Sequence, residues 1–152
     1  MRIGVVLMMA FVWLCSSSAS AQESEFQGKM LKIMNAKKKA FDDRCGGKVT
    51  MKWVGKLGHD PNNQETAKKG HALGALVGVA LQGVMDACQS NAPVKQALSK
   101  VATVEAKKGS GTIACKVAGT TLTILVDGAF EGSNPAGQRA AMVKKLKKDL
   151  DK

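Results

Sequence analysis

Acid–base and nucleophilic chemistry in this sequence would have to come from its few histidine, aspartate and cysteine side chains. His59 and Asp60 are adjacent, as a general base and the carboxylate that orients it would be. A proline follows this aspartate, however, and Asp-Pro is a common turn sequence. No Gly-x-Ser-x-Gly motif offers a serine nucleophile. We therefore predict no catalytic residue. An alternative hypothesis for the function is an enzyme or enzyme inhibitor whose site is built from loops near His59 or His71.

Metal and cofactor binding has little support in the spacing of potential ligands. The sequence contains no Cys-x-x-Cys pair, and neither histidine lies at a ligand spacing from a cysteine. The glycine-rich segment 107–111 (KKGSG) lacks the GxxxxGK[ST] pattern of a phosphate-binding loop and fits a hairpin turn instead. We predict neither a metal site nor a cofactor.

Three cysteines, Cys45, Cys88 and Cys115, follow the apolar N-terminal segment. In an exported protein, which meets an oxidising compartment, this number favours one disulfide and one remaining thiol. Cys88 falls on the apolar stripe of a predicted helix and Cys115 on the apolar face of a predicted strand, so we predict that these two pair. Loop-closure entropy would favour a Cys45–Cys88 bridge about equally. The unpaired Cys45 gives a third hypothesis, a protein–protein module or dimer linked through this cysteine.

Lysine dominates the charge of the chain, which carries a formal net charge of +11 at pH 7. Lysine is a mobile point charge suited to diffuse attraction of polyanions, whereas arginine supplies the planar fork used in base and phosphate recognition. Arginine is scarce and aromatic residues are few, so we predict no sequence-specific nucleic-acid binding and no base-stacking surface. The same lysines would equally suit a solvated surface kept for solubility. If the first and last helices lie side by side, a polyanion would bind Lys29, Lys32, Lys38, Lys39, Lys144, Lys145, Lys147 and Lys148.

The folded part of the chain is predicted to begin after a segment typical of a signal peptide. Met1-Arg2 is a short positive start, residues 3–15 are apolar, and residues 19–21 (ASA) form a small-x-small cleavage pattern. The apolar run is shorter than the about 20 residues that cross a bilayer. We predict cleavage after Ala21, a secreted or periplasmic location, and one domain over residues 22–152 without a transmembrane segment.

The segment from Gly70 to Cys88 (GHALGALVGVALQGVMDAC) is apolar or small nearly all round a helix, which indicates a buried helix. Lys69 and Asp86 bound an uncharged stretch that is too short for a membrane span. The glycines would allow a neighbouring element to approach closely. We predict the core helix of a soluble domain, with self-association and membrane insertion as weaker alternatives.

Other periodic patterns complete the predicted domain. Apolar residues at three- and four-residue spacing predict a helix over 22–43, stopped by Gly46-Gly47, and alternation predicts a strand over 48–54. A short helix follows Asn91, and segments 101–107, 112–117 and 120–127 predict a three-stranded meander with turns at 108–111 and 118–119. The order αβααβββα predicts an α+β fold with an antiparallel sheet packed against helices. The last helix is expected to face inward through Ala136, Ala140, Val143, Leu146 and Leu150.

These patterns together favour a non-enzymatic function. We expect a secreted or periplasmic basic domain that associates with anionic envelope polymers or surfaces through its lysines. The two alternatives would instead require a pocket around a histidine, or a Cys45 thiol that is available to a partner.

Overall fold

The computed structural model describes residues 7–55, 64–109, 113–126 and 135–150, with side chains from Glu25 onward except those of 64–72, 135 and 138. The described residues form an α+β domain, the predicted class, with four helices and a four-stranded sheet. Along the chain, the elements are α1 (Leu7–Cys45), β1 (Thr50–Val54), α2 (Gln64–Ser90), α3 (Ala92–Leu98), β2 (Thr103–Lys108), β3 (Ala114–Ala118), β4 (Thr121–Val126) and α4 (Pro135–Leu150).

α1 is longer at its start than the sequence pattern predicts, since its backbone is helical from Leu7 and continues across the expected cleavage position. Its end is the expected one. Gly46 follows the helix with a φ of +80°, and its amide donates to the carbonyl of Asp42 at 2.9 Å. Glycine is the residue that adopts this left-handed conformation without strain. The Asp42 carboxylate then accepts the amide of Val49 at 3.0 Å, which fixes the path from α1 into β1.

α2 supplies the centre of the hydrophobic core, as the apolar stripe on one side of it predicts. Val77 and Ala80 are fully buried and Leu76 is 6% exposed. Ala80 follows Leu76 by four positions and Val77 by three, so the three side chains lie on one face of the helix. None of the helices that the structure describes is long and apolar enough to cross a membrane.

α3 is a short helix whose start is fixed by a side-chain cap. The Asn91 carboxamide oxygen accepts the amide of Val94 at 2.9 Å, which satisfies one of the otherwise unbonded amides of the first turn. Pro93 occupies the first turn, where its missing N–H costs nothing. The helix buries Val94 and Leu98 against the core.

The sheet is mixed, with the strand order β1-β2-β4-β3. β1 is parallel to β2 and β2 is parallel to β4, whereas β3 and β4 are antiparallel. The predicted antiparallel meander is therefore wrong, because β4 lies between β2 and β3. Segment 108–111 is likewise not a hairpin connection, since β2 and β3 are not neighbours, and Ser110 and Gly111 themselves lie outside the described residues. The amide of Gly109 donates to the carbonyl of Val126 in β4 at 2.8 Å, so β2 continues beside β4 there.

The turn between β3 and β4 is the one predicted hairpin connection that the sheet contains. Ala118 pairs with Thr121, which leaves Gly119 and Thr120 as a two-residue loop. Gly119 has a φ of +56°, and none of the described non-glycine residues has a positive φ. A positive φ at the first loop residue alone is characteristic of a type II′ turn, which glycine favours.

Three helices cover one face of the sheet. α1 packs on β1, α2 on β4 and α4 on β3, and the strand residues beneath them, such as Val104, Ala106, Leu122 and Ile124, are fully buried. The opposite face carries half-buried or exposed residues, many of them threonine or lysine. The domain therefore has two layers, and its hydrophobic core lies between them.

The predicted inward face of α4 is confirmed in the later turns of the helix and is wrong in the earlier ones. Leu146 is 2% exposed, and Val143 and Leu150 pack against the core, whereas Ala136 and Ala140 are exposed and Met142 is buried instead, at 4% exposed. Met142 is buried because it fits against α2 at Gly83, where the absence of a side chain leaves room for it. The exposed alanines consequently face solvent on the side of α4 that is away from the sheet.

Candidate functional site

The outer face of α2 forms the floor of a groove on the helical layer. A helix turns by about 100° per residue, so Gly74 and Gly83 point to opposite sides of α2. A Cβ at Gly74 would lie 2.8 Å from Ile33 Cδ1 of α1, and one at Gly83 would clash with Met142 of α4. These two glycines therefore let α1 and α4 pack closely on opposite flanks of α2. Between the flanks, none of the described residues covers the outer face of α2, and Ala75 is exposed there.

One half of this groove lies directly over α2. Its volume is about 390 Å³. Small or uncharged residues of α2 form the floor, a lysine of α1 lies on one side and residues of α4 lie on the other. The lining residues are Lys37, Ala75, Gly78, Val79, Gln82, Ala136 and Arg139.

The other half continues along α4 and shares Ala136 and Arg139 with the first. Its volume is about 470 Å³. Alanine and valine side chains of α4 lie between two lysines, Lys144 and Lys147, and the carboxylate of Asp86. We call the two halves together the helical groove.

Asp86 organises the charges at the centre of the helical groove. Its carboxylate pairs with the guanidinium of Arg139 and accepts the side-chain amide of Gln82 at 2.9 Å. Arg44 Nη1 of α1 lies 3.9 Å from the same carboxylate. Both arginines that follow Arg2 in the sequence are thus directed to one aspartate. The cations around the groove that face no carboxylate of the described structure are lysines.

Asp86 was not identified as a functional residue from the sequence. The sequence does contain a feature that marks this residue, because Asp86 is the single carboxylate in the mostly apolar segment between Lys69 and Cys88. A carboxylate in such a segment is expected to have a partner. Which cations partner it could not be read from spacing, since Arg44 and Arg139 lie in other helices.

The α1 lysines of the predicted polyanion surface differ in how they are paired. Lys29 Nζ lies 2.7 Å from the carboxylate of Glu25, and this hydrogen bond and charge lower the pKa of Glu25. Lys38 pairs in the same way with Asp42. Lys32 and Lys39 are exposed and form no ion pair with any residue that the structure describes.

The α4 lysines of that surface have no acidic partner within the described part of the chain. Lys144 and Lys147 line the helical groove. Lys148 is exposed. Lys145 is also exposed and its charge acts on Cys115, which belongs to the sheet side of α4. The four lysines therefore project in more than one direction.

The first and last helices do not lie side by side, which was the condition for their lysines to form a single field of charge. α1 and α4 each pack against α2, on its opposite flanks, so a whole helix separates them. The two helices do border one common cavity in the helical groove, which Lys37 of α1 and Arg139 of α4 line. Lys37 was not among the lysines assigned to the surface from the sequence.

The disulfide joins Cys45 at the end of α1 to Cys88 of α2, with Cα atoms 5.2 Å apart. The predicted Cys88–Cys115 pairing is therefore wrong. Both of those cysteines do lie in the layer between helices and sheet, but at different positions across it. Cys88 lies beside α1, whereas Cys115 lies on β3 beneath α4. Cys45 is fully buried and paired within the chain, so it is not the available thiol that the hypothesis of a partner linked through Cys45 requires.

Cys115 is a buried free thiol and an unreactive one. Its Sγ donates to Sδ of Met142 at 3.1 Å. Burial raises the pKa of Cys115 from 9.0 to about 12, and the nearby charge of Lys145 opposes this only in part. The thiolate is the nucleophilic form, so this cysteine is protonated and inert at neutral pH.

The side chains on which the enzyme hypothesis depends fall outside the part of the structure that is described. His59 and Asp60 lie outside the described residues, and His71 belongs to α2 with its side chain outside them. Within the ranges that the structure describes, no group of three or more His, Cys, Asp or Glu side chains is placed to hold a metal ion.

Comparison with known proteins gives no family or relative from which a function could be transferred. No protein-family model matches the chain, and no curated protein or solved structure is significantly similar to it.

Proposed function

We propose that this chain is a non-enzymatic basic protein of the secreted or periplasmic space that associates with anionic polymers through lysines of its helical layer. The observation that carries the proposal is that the α4 lysines are clustered and unpaired with any described acidic residue. Lys144, Lys145, Lys147 and Lys148 lie within five residues of one another and have no acidic partner in the described structure. Clustered cations without partners attract polyanions at long range.

The kind of cation favours an unspecific association. Arg44 and Arg139 both face the Asp86 carboxylate, so the exposed cations of the helical layer that have no carboxylate partner in the described structure are lysines. An ammonium group has no fixed recognition geometry, so it responds to the charge density of a polymer more than to its chemical pattern. We therefore expect affinity to fall steeply with salt, because binding releases the counterions of the polymer.

The location is part of the proposal and depends on the N-terminal sequence. A positive start, an apolar run and the small residues at 19–21 are typical of a cleaved export signal. The intramolecular disulfide agrees with an oxidising compartment. Anionic polymers are abundant on the outer side of a cell membrane, where such a protein would meet them.

Heparin chromatography of the purified protein tests the proposal. The variant replaces all four α4 lysines with glutamine, and a matched control replaces four lysines of the strands, Lys52, Lys107, Lys108 and Lys116, with glutamine. Both variants lose the same charge. We expect the α4 variant to elute at clearly lower salt than wild type and the strand variant to elute close to wild type.

Two results would contradict the proposal. Equal shifts for the two variants would show that only net charge matters, without a binding surface on α4. Elution of the wild-type protein at low salt, unchanged by either set of substitutions, would show that the lysines are a solvated surface.

A further inference from the structure

We infer that the helical groove is a docking site for an amphipathic helix of another protein, one whose apolar stripe is flanked by carboxylates. The inference goes beyond polymer binding. It shares Lys144 and Lys147 with the proposed polymer surface, but it depends on the floor of the groove, which charge attraction does not need.

The floor of the groove contains a glycine for which the chain itself has no packing use. Gly74 and Gly83 make room for α1 and α4, whereas a Cβ at Gly78 would meet no atom within 4 Å. Glycine weakens a helix relative to alanine. With Ala75 and Val79 beside it, Gly78 leaves a shallow floor on which another helix could approach α2 closely.

The size and polarity of the groove suit a helix. Ala75 and Gln82 are separated by about 10 Å along α2, which is about two helical turns. Ala140 and Val143 extend the apolar surface along α4. Helices that dock in such grooves do so through apolar side chains three and four residues apart, which repeat once per turn.

Charge selects the chemistry of the occupant. Cations lie on both sides of the floor, Lys37 on α1 and Lys144 and Lys147 on α4. A helix with carboxylates on both sides of its apolar stripe would match this arrangement. A second copy of this chain fits less well, because two chains that each carry a net charge of +11 repel each other. An anionic polymer could pair with the rim but has no apolar stripe for the floor.

A titration with two synthetic peptides tests the inference. One peptide, of about five helical turns, carries leucine and alanine along one stripe with glutamates on both flanks. The other has the same composition in scrambled order, so its charge is the same and its stripe is lost. Binding is followed by ¹⁵N NMR of the full protein. We expect the striped peptide to bind at least about tenfold more tightly, with the largest shifts at Ala75, Gly78 and Val79.

Substitution of the floor completes the test. Gly78→Leu fills the groove and is expected to abolish the preference for the striped peptide while heparin retention stays unchanged. Gly28→Leu is the matched control, because Gly28 is an exposed glycine of α1 whose Cβ would also meet no atom within 4 Å. This control is expected to bind both peptides as wild type does.

Several outcomes would overturn the inference. Equal binding of the two peptides would show that charge alone acts, which leaves the polymer proposal standing and removes the docking site. A preference that survives Gly78→Leu, or shifts confined to the sheet, would place binding elsewhere. Absence of binding by either peptide, or Gly78-dependent binding of anionic phospholipid vesicles instead, would exclude a helix as the occupant.

Discussion

Asp86 joins three helices through one side chain. Its carboxylate faces Arg139 of α4 and Arg44 of α1, and a hydrogen bond from Gln82 holds it within α2. The Asp86 side chain is 29% exposed and those of the arginines are 36% and 43% exposed. Ion pairs that are this accessible to water are weak individually. Because both ion pairs share the Asp86 carboxylate, one substitution at Asp86 removes both of them. The combined loss of stability should be measurable.

Asp86→Asn removes the negative charge and keeps the shape of the side chain. We expect the free energy of unfolding to fall by about 1 kcal/mol, since two partly exposed pairs are lost. Salt screens such pairs, so the difference from wild type should shrink at high ionic strength. Urea unfolding at low and high salt measures both effects.

Glu25→Gln is the control for Asp86→Asn. It removes the carboxylate of the exposed Glu25–Lys29 pair within α1, and we expect no measurable change. A loss for Asp86→Asn no larger than that of the control, or one that does not depend on salt, would show that Asp86 does not hold the helices electrostatically.

The glycines of α2 have different surroundings. Gly74 and Gly83 face neighbouring helices, whereas Gly78 faces the open groove. The intrinsic cost of a helical glycine is the same at each position. Replacing Gly78 or Gly83 by alanine should therefore change the free energy of unfolding by different amounts. The difference depends only on the atoms that surround each glycine.

Gly78→Ala is expected to raise the free energy of unfolding by about 0.5–1 kcal/mol, because the added methyl group meets no atom and the helix gains propensity. Gly83→Ala should show no such gain, since Met142 must shift and Arg139 Cγ would lie only 3.2 Å from the new Cβ. Chemical denaturation of both variants measures the difference. Equal stabilisation by the two substitutions would contradict the packing of α4 on α2.

Local patterns in the sequence were sufficient to predict elements but not their pairing. The stop at Gly46, the cap at Asn91 and the turn at Gly119 each depend on residues a few positions apart, and each was predicted. Strand partners lie far apart in sequence, so the place of β4 between β2 and β3 left no local signal. The burial of Met142 in α4 was missed because Gly83, on another helix, determines where Met142 fits.

The candidate site, like the fold, was predictable in its local features but not in how those features are arranged in space. The lysine-rich faces of α1 and α4 could be read from spacing, but their separation by α2 depends on the packing of three helices. The helical groove exists only once that packing is formed. The disulfide shows the same dependence, because Cys88 and Cys115 share a layer without being neighbours in it.

At the scale of the whole molecule, the Cys45–Cys88 bridge ties the end of α1 to α2 across 43 residues of sequence. This closed segment contains β1 and the residues between β1 and α2. A crosslink of this span restricts the unfolded chain, and the entropy of closing such a loop corresponds to about 4 kcal/mol at 25 °C.

Replacing Cys45 and Cys88 together with alanine should lower the free energy of unfolding by about 4 kcal/mol, as measured by urea denaturation. Peptide mapping without reduction should recover the two cysteines in one linked product. Cys115→Ala is the control, in which the stability lost on reduction is expected to match that of wild type. A Cys115-containing linked product, or a double variant as stable as wild type, would refute the bridge.

The position of β4 between β2 and β3 has a consequence for how the chain folds during synthesis. β4 is the last strand to be made, yet both β2 and β3 bond to it. A nascent chain that ends before Thr121 therefore has a β3 with no strand beside it, and only β1 and β2 can pair. The sheet cannot grow from the N-terminus one strand at a time. The β3–β4 hairpin, whose contacts are local, is expected to form first and then to dock as a unit on β2.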